Sequence, residues 1–141
     1  MRKNIKILVL AIILVLASAI AVNAADATVT VEASKTQVKP GEEFTVKVSA
    51  ECISKLAGID TNLSFDENVL EFIEVVRANK DWTILDEDVS KVPDSKYDMN
   101  IAGIHNETKE KDDIYIITFK VNDAATINTT TKVLLEGITL Y

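Results

Sequence analysis

Apolar and polar residues alternate along most of the chain, which is the period of a β-strand with one buried face. Apolar residues occupy every second position in the stretches 27–33, 44–50 and 115–121. Between the first two stretches, Lys39–Glu42 reads Lys-Pro-Gly-Glu, where proline presets φ and glycine allows a tight turn. No long segment keeps the 3.6-residue period of a helix. The pattern therefore predicts a series of short strands joined by turns.

The stretch 59–65 gives the clearest division between two faces. Its odd positions are mostly apolar and its even positions are polar. Since successive side chains of a strand point to opposite faces, the even positions are predicted to face solvent. These residues are Asp60, Asn62 and Ser64.

Later segments are less regular but add further strands. Residues 77–96 predict one short strand within loops, and residues 104–113 predict a polar, charged loop. In the following strand, Ile114 and Ile116 have the parity opposite to the apolar alternation and are predicted to face outward. Seven to nine short strands predict an all-β fold, a single jelly-roll or Ig-like β-sandwich.

The N-terminal residues have the features of a signal peptide. A positively charged start is followed by the apolar run 7–20, and Val22 and Ala24 place small residues at the −3 and −1 positions of a cleavage site. The alternative is a retained membrane anchor, because the run approaches the length that spans a bilayer. Small residues at the end of the run favour cleavage. The predicted organisation is a signal peptide at 1–24 and one β-domain at 25–141, exported from the cell and not held in a membrane.

The net charge and the cysteine content limit the classes of binding partner and the cellular compartment that fit this chain. Removal of residues 1–24 takes away three basic and no acidic residues, so the formal net charge changes from −7 to −10. Such a surface repels nucleic acids and anionic membranes. Cys52 is the only cysteine, which excludes an internal disulfide and a thiolate zinc cluster and predicts a packed core residue. An exported protein without disulfides fits a bacterial exterior.

The chain shows no catalytic motif. It contains no Gly-x-Ser-x-Gly, no Gly-rich phosphate loop and no His-Glu-x-x-His, and its single histidine, His105, is predicted to be a solvated loop residue. Carboxylates adjoin one another at 86–88 and 112–113, but without the spacing of an EF-hand. We therefore expect a non-enzymatic protein without a cofactor, with a structural calcium ion as the alternative.

Three segments, in order, resemble the cohesin domain family. The first is 38–46, Val-Lys-Pro-Gly-Glu-Glu-Phe-Thr-Val, and the second is 57–71, which contains Gly-Ile-Asp and Phe-Asp-Glu-Asn-Val-Leu-Glu. The third is 117–121, Ile-Thr-Phe-Lys-Val, within a resemblance that covers nearly all of 27–141. One departure stands before this last strand, where Asp112-Asp113 replaces the glycine usual in the family.

The resemblance implies a nine-stranded jelly roll and a docking role. Cohesins capture the calcium-loaded dockerin modules of polysaccharide-degrading enzymes through one face of a sheet. An Asp on the third strand is a recurrent contact in that family, and it matches Asp60 here. The predicted partner-binding residues are Asp60, Asn62, Ser64, Ile114 and Ile116.

Two other functions remain open from the sequence. A carbohydrate-binding module of the same sandwich superfamily would use exposed aromatic residues to bind polysaccharide, and the candidates are Trp82 and Tyr97. A structural or adhesive Ig-like domain would need no small-molecule ligand.

Overall fold

The protein is built almost entirely of β-strands. The computed structural model describes the backbone of residues 13–17 and 27–141, and the side chains of the second range except those of residues 54 and 106–109. The strands are β1 Ile13–Ala17, β2 Ala27–Ala33, β3 Gln37–Val38, β4 Glu43–Phe65, β5 Leu70–Arg77, β6 Trp82–Asp88, β7 Met99–Val121 and β8 Thr130–Leu140. The all-β prediction is confirmed.

Two strands of 23 residues each, β4 and β7, connect the two layers of the sandwich. They pair antiparallel along their length, and their register shifts near residues 48–49, 51–56 and 56–58. Such irregularities bend strands. The first layer contains β2, the front half of β4, the back half of β7, and β5. The second contains β8, the back half of β4, the front half of β7, and β6.

The predicted loop at 104–113 is wrong, because β7 runs through it without a break. Cross-strand pairing explains how charged residues are accommodated there. Lys111 is in register with Glu51, and its Nζ lies 3.2 Å from a Glu51 carboxylate oxygen. Opposite charges on facing strands support pairing even where no apolar alternation is visible in the sequence. By contrast, the predicted turn at 39–42 is present, with Gly41 at φ +83° and the Glu42 amide donating to the Lys39 carbonyl at 3.0 Å.

Four phenylalanines from both layers form an aromatic cluster in the core. Phe119 is fully buried, and its ring lies between 5.1 and 6.2 Å, centroid to centroid, from those of Phe44, Phe65 and Phe72. The arrangement is stacked with Phe44 and edge-to-face with the other two. These are the geometries that aromatic pairs prefer. Phe119 therefore connects β4, β5 and β7 at one point of the core.

A β-bulge overturns the predicted outward position of Ile114. Val48 pairs with Tyr115 and Ser49 with Asp113, so Ile114 is an extra residue without a register partner. The bulge breaks the alternation, and both Ile114 and Tyr115 point inward and are fully buried. Ile114 packs closely on Gly103, where an added Cβ would lie 3.0 Å from the isoleucine Cγ2.

Tyr115 carries a buried hydroxyl with a defined partner. Its Oη lies 2.6 Å from Thr61 Oγ1, which donates to the Ile101 carbonyl at 2.9 Å. Burial raises the pKa of Tyr115 far above the ordinary 10.0, the hydrogen bond with Thr61 lowers it, and the charge of Asp60 raises it. The folded chain therefore keeps the phenol neutral at pH values where an unfolded chain would ionise it.

This difference predicts a loss of stability in alkali. A raised folded-state pKa contributes stability that is complete below pH 10 and is lost progressively as the pH rises above that value. We expect the free energy of unfolding, measured by urea titration from pH 9 to 11, to fall less steeply for Tyr115→Phe than for the parent. The control is Tyr141→Phe, at an exposed tyrosine, which should leave the slope unchanged. Equal slopes for the parent and Tyr115→Phe would contradict the prediction.

The described part of the N-terminal apolar run is a strand in this structure. β1 pairs antiparallel with β3 and parallel with β8. The rest of the predicted signal peptide, 1–12 and 18–24, lies outside the described residues, and the cleavage site stays a prediction. In the part of the chain that is described, no helix combines the length and apolarity needed to cross a membrane.

Candidate functional site

The outer face of the second layer brings three of the predicted contact residues together. Asp60, Asn62 and Ser64 lie at alternate positions on one side of β4 and are half-buried, while Thr61 and Leu63 between them are fully buried. Their predicted solvent-facing parity is confirmed. We call this outer side of β8, β4, β7 and β6 the second-layer face.

Asn100 organises the centre of this face. It lies on β7 in register with Asn62, and its Nδ2 donates to Asp60 Oδ1 at 2.8 Å and to Asn62 Oδ1 at 3.2 Å. The same nitrogen lies 3.4 Å from the Thr61 carbonyl oxygen. An ionised carboxylate can accept about four hydrogen bonds, so Asp60 keeps capacity for a partner while Asn100 fixes its position.

An apolar area adjoins this polar centre. Leu85 on β6 is 55% exposed and Ile104 on β7 is 52% exposed. Leu85 is in register with Ala102, which is in register with Asp60, and Ile104 is in register with Gly58. Large aliphatic side chains exposed beside a fixed polar group are typical of a surface that binds another protein.

Sequence reasoning missed Leu85, Ile104 and Asn100. Ile104 was hidden because residues 104–113 were assigned to a loop. The parity of the strand before it contains the signal, since Asn100, Ala102 and Ile104 share one side of β7 opposite the buried Met99 and Ile101. Leu85 could not be assigned to a face from the sequence, because no alternation is visible around it.

The edges of the face are acidic. Glu87 on β6 is in register with Asn100, and Glu136 on β8 is in register with Asn62. Lys96 Nζ lies 3.4 Å from Glu136 Oε2, and a hydrogen bond with Tyr97, followed by that with Glu136, raises the pKa of Lys96. With Asp60, three carboxylates therefore lie on the face beside the apolar area, and a basic partner surface would complement them.

Ile114 and Ile116 do not belong to this face. Ile114 is in the core, as described above. Ile116 is half-buried on the outer side of the first layer, where it is in register with Lys47 on β4 and Val76 on β5. The predicted set of five residues is thus divided by the fold.

Trp82 cannot serve as an exposed sugar platform, because its side chain is fully buried. Its Nε1 donates to Asp112 Oδ2 at 2.9 Å, and Asn79 Nδ2 donates to Asp112 Oδ1 at 3.0 Å. The proposed carbohydrate contact at Trp82 is therefore wrong. Tyr97 is half-exposed, with Lys96 Nζ 4.7 Å from its ring centroid.

His105 is buried, not solvated as predicted, with only 5% of its surface exposed. Its ring meets Trp82 edge-to-face at 5.0 Å, and its Nε2 lies 3.7 Å from Asp112 Oδ2. The error arose because residues 104–113 were assigned to a loop. In β7, His105 lies on the same inward side as Met99 and Ile101. Asp112 thus has a structural role, because it accepts hydrogen bonds from Trp82 and Asn79.

Asp88, in the acidic cluster 86–88, makes local contacts. Asp88 accepts from Ser90 and lies 2.7 Å from Lys91 Nζ, and the hydrogen bond with Lys91 is the main cause that lowers the pKa of Asp88. Among the residues described, no three His, Cys, Asp or Glu side chains are grouped so as to hold a metal ion. The absence of a cofactor stays a prediction. Cys52 is packed as predicted, and burial raises the pKa of its thiol.

Comparison with solved structures finds similar sandwiches in other proteins. A type II cohesin–X-dockerin complex from Acetivibrio cellulolyticus contains a match with a TM-score of 0.60, at 15% identity over 82% of this chain and 87% of that chain. The cohesin module of a family 33 glycoside hydrolase from Clostridium perfringens matches with a TM-score of 0.59, at 9% identity over 78% and 94%. A non-cellulosomal cohesin from Archaeoglobus fulgidus matches with a TM-score of 0.50, at 19% identity over 72% and 69%.

At these identities the structures establish the fold alone, and no curated protein matches the chain. The family model of the cohesin domain matches residues 28–141, which is nearly the whole β-domain. This match agrees with the order of the three resembling segments and with the two-layered sandwich. The chain belongs to the cohesin domain family.

Proposed function

We propose that this protein is a non-catalytic docking module that binds a dockerin-type protein through the second-layer face. The observation that carries the proposal is the fixed carboxylate of Asp60, held by Asn100 at 2.8 Å, beside exposed Leu85 and Ile104. A fixed acceptor gives orientation, and the adjoining aliphatic surface supplies apolar contact area.

The charges of the face define the chemistry of the partner. Asp60, Glu87 and Glu136 make the face negative, so a partner should present lysine or arginine side chains or hydroxyl donors to it. A helix is a suitable shape for the partner segment, because alternate aliphatic and donor positions can meet Leu85 and Asp60 together. This is the recognition of a folded protein surface and needs no bond-making step.

Related structures support a protein as the partner. One matching cohesin was solved with an X-dockerin, and another, from the scaffoldin B of Acetivibrio cellulolyticus, was solved with a Cel5 dockerin. We further propose that the protein acts outside the cell in the assembly of polysaccharide-degrading enzymes. The predicted signal peptide and the acidic composition support this location.

Isothermal titration of the purified protein against a panel of calcium-loaded dockerin modules tests the proposed function. We expect at least one module to bind with micromolar or tighter affinity, and a calcium chelator to abolish the signal by unfolding the dockerin. The same titration with short soluble oligosaccharides should give no heat. Binding of oligosaccharides without binding of any dockerin would contradict the proposal.

A further inference from the structure

The position of β1 in the sheet suggests a second binding site. Residues 14–17 of β1 pair in parallel with 130–133 of β8, and residues 13–14 pair antiparallel with 37–38 of β3. β1 therefore lies between two other strands and forms a ladder with each. We call the space that it occupies, between β3 and the start of β8, the strand slot.

The occupant of the strand slot comes from the segment predicted to be removed. Residues 13–17 belong to the apolar run of the signal peptide, and cleavage after Ala24 would separate them from the domain. Their loss would leave the backbone N–H and C=O groups along one edge of β3 and of β8 without ladder partners. Unpaired strand edges of this kind accept extended segments of other chains.

Thr131 gives a second, independent reason to expect another occupant. It lies on β8 with 4% of its surface exposed, on the inward side shared with Val133 and Leu135. Its Oγ1 is buried and has no hydrogen-bond partner among the described residues. The register partner of Thr131 in β1 is Val15, which has no hydrogen-bonding side chain. A strand with Ser, Thr or Asn at that register would satisfy the buried hydroxyl.

We propose that the strand slot is a site for β-strand addition. In the uncleaved chain the leader strand β1 fills it. After cleavage it takes an extended, mainly apolar segment of a partner protein, parallel to β8, with a hydrogen-bonding residue in register with Thr131. Main-chain ladders to β3 and β8 supply the affinity, and the position facing Thr131 supplies the selectivity. The site is distinct from the second-layer face, which is centred on Asp60.

The test uses the full chain with a specific protease site inserted after Ala24. Deuterium exchange is followed at the amides of 37–38 and 130–133 before and after the cut. We expect the cut leader to leave and exchange at these amides to increase. A leader that stays bound, with protection unchanged, would overturn the proposal. The probes are lysine-flanked peptides of residues 11–19 with Val, Thr or Pro at position 15. The Thr peptide should restore protection with a dissociation constant at least fivefold lower than that of the Val peptide. The Pro peptide lacks an amide donor at position 15 and should not restore protection.

A variant of the uncut chain provides a second measurement. Val15→Thr should raise the melting temperature by supplying a partner for Thr131, while Val9→Thr, the same exchange elsewhere in the apolar run, should not. The proposal is overturned if the leader dissociates and the amides at 130–133 stay protected, since β3 would then have closed on β8. Equal binding of the Thr and Pro peptides would overturn it as well. Protection that depends on protein concentration would assign the slot to a second copy and exclude the proposed partner.

Discussion

Asp60→Arg is expected to weaken binding of a dockerin partner by at least about 100-fold, or about 2.7 kcal/mol at 25 °C. The substitution removes the carboxylate that Asn100 holds on the second-layer face and places a positive charge against a partner that should itself be basic there. Breaking a central hydrogen-bonded charge contact typically costs 2–5 kcal/mol. Titration calorimetry or surface plasmon resonance with a dockerin that binds the parent measures the loss.

The control for Asp60→Arg is Glu71→Arg, which makes the same change of charge at an exposed residue of β5 in the other layer. The affinity of Glu71→Arg for the dockerin should stay within about threefold of the parent's affinity. Any change should be mainly in the association rate. Asp60→Asn keeps an oxygen acceptor for Asn100, so its affinity for the dockerin should lie between those of Asp60→Arg and Glu71→Arg. Unchanged affinity in Asp60→Arg would remove Asp60 from the binding surface, whatever the partner.

Phe119→Ala is expected to cause the largest loss of stability, about 3–5 kcal/mol, because it leaves a cavity where four aromatic rings meet. Phe119 is fully buried and joins β4, β5 and β7, so the surrounding strands cannot collapse onto the gap without losing their ladders. Urea unfolding followed by the intrinsic fluorescence of Trp82 measures the change in free energy.

Ile73→Ala is the matched control for the core substitution. Ile73 lies on β5 beside Phe72 but is 41% exposed, so its truncation should cost about 1 kcal/mol or less. A loss of similar size in the two variants would show that Phe119 does not have the central packing role assigned to it. Retention of dockerin binding by folded Phe119→Ala would in addition separate stability from docking.

Alternation was sufficient where a strand is regular. It assigned the inward positions Ile59, Thr61 and Leu63 and the outward positions Asp60, Asn62 and Ser64, because a strand without a bulge leaves side chains no other choice. The same reasoning predicted the all-β class, while the Pro-Gly pair predicted the tight turn at 39–42.

Alternation failed where the strand is irregular or where charges hide it. A single inserted residue reverses parity, which is why Ile114 is in the core while Ile116 remains on the outside of the other layer. His105 and Ile104 were assigned to a loop because the charged residues after them resemble a solvated connection. Pairing of Lys111 with Glu51 across the strands turns that segment into continuous β-structure.

The sequence alone determined the fold class and the family resemblance, since these depend on local alternation and on short ordered motifs. It also predicted Asp60 as a contact residue. Only the tertiary structure decided which residues accompany Asp60. Leu85, Asn100 and Ile104 lie 25 to 44 residues from Asp60 in the chain. Their meeting depends on the register of β4, β6 and β7. Register is fixed by pairing between distant strands and by the bulges within them, and neither property is visible in a local pattern.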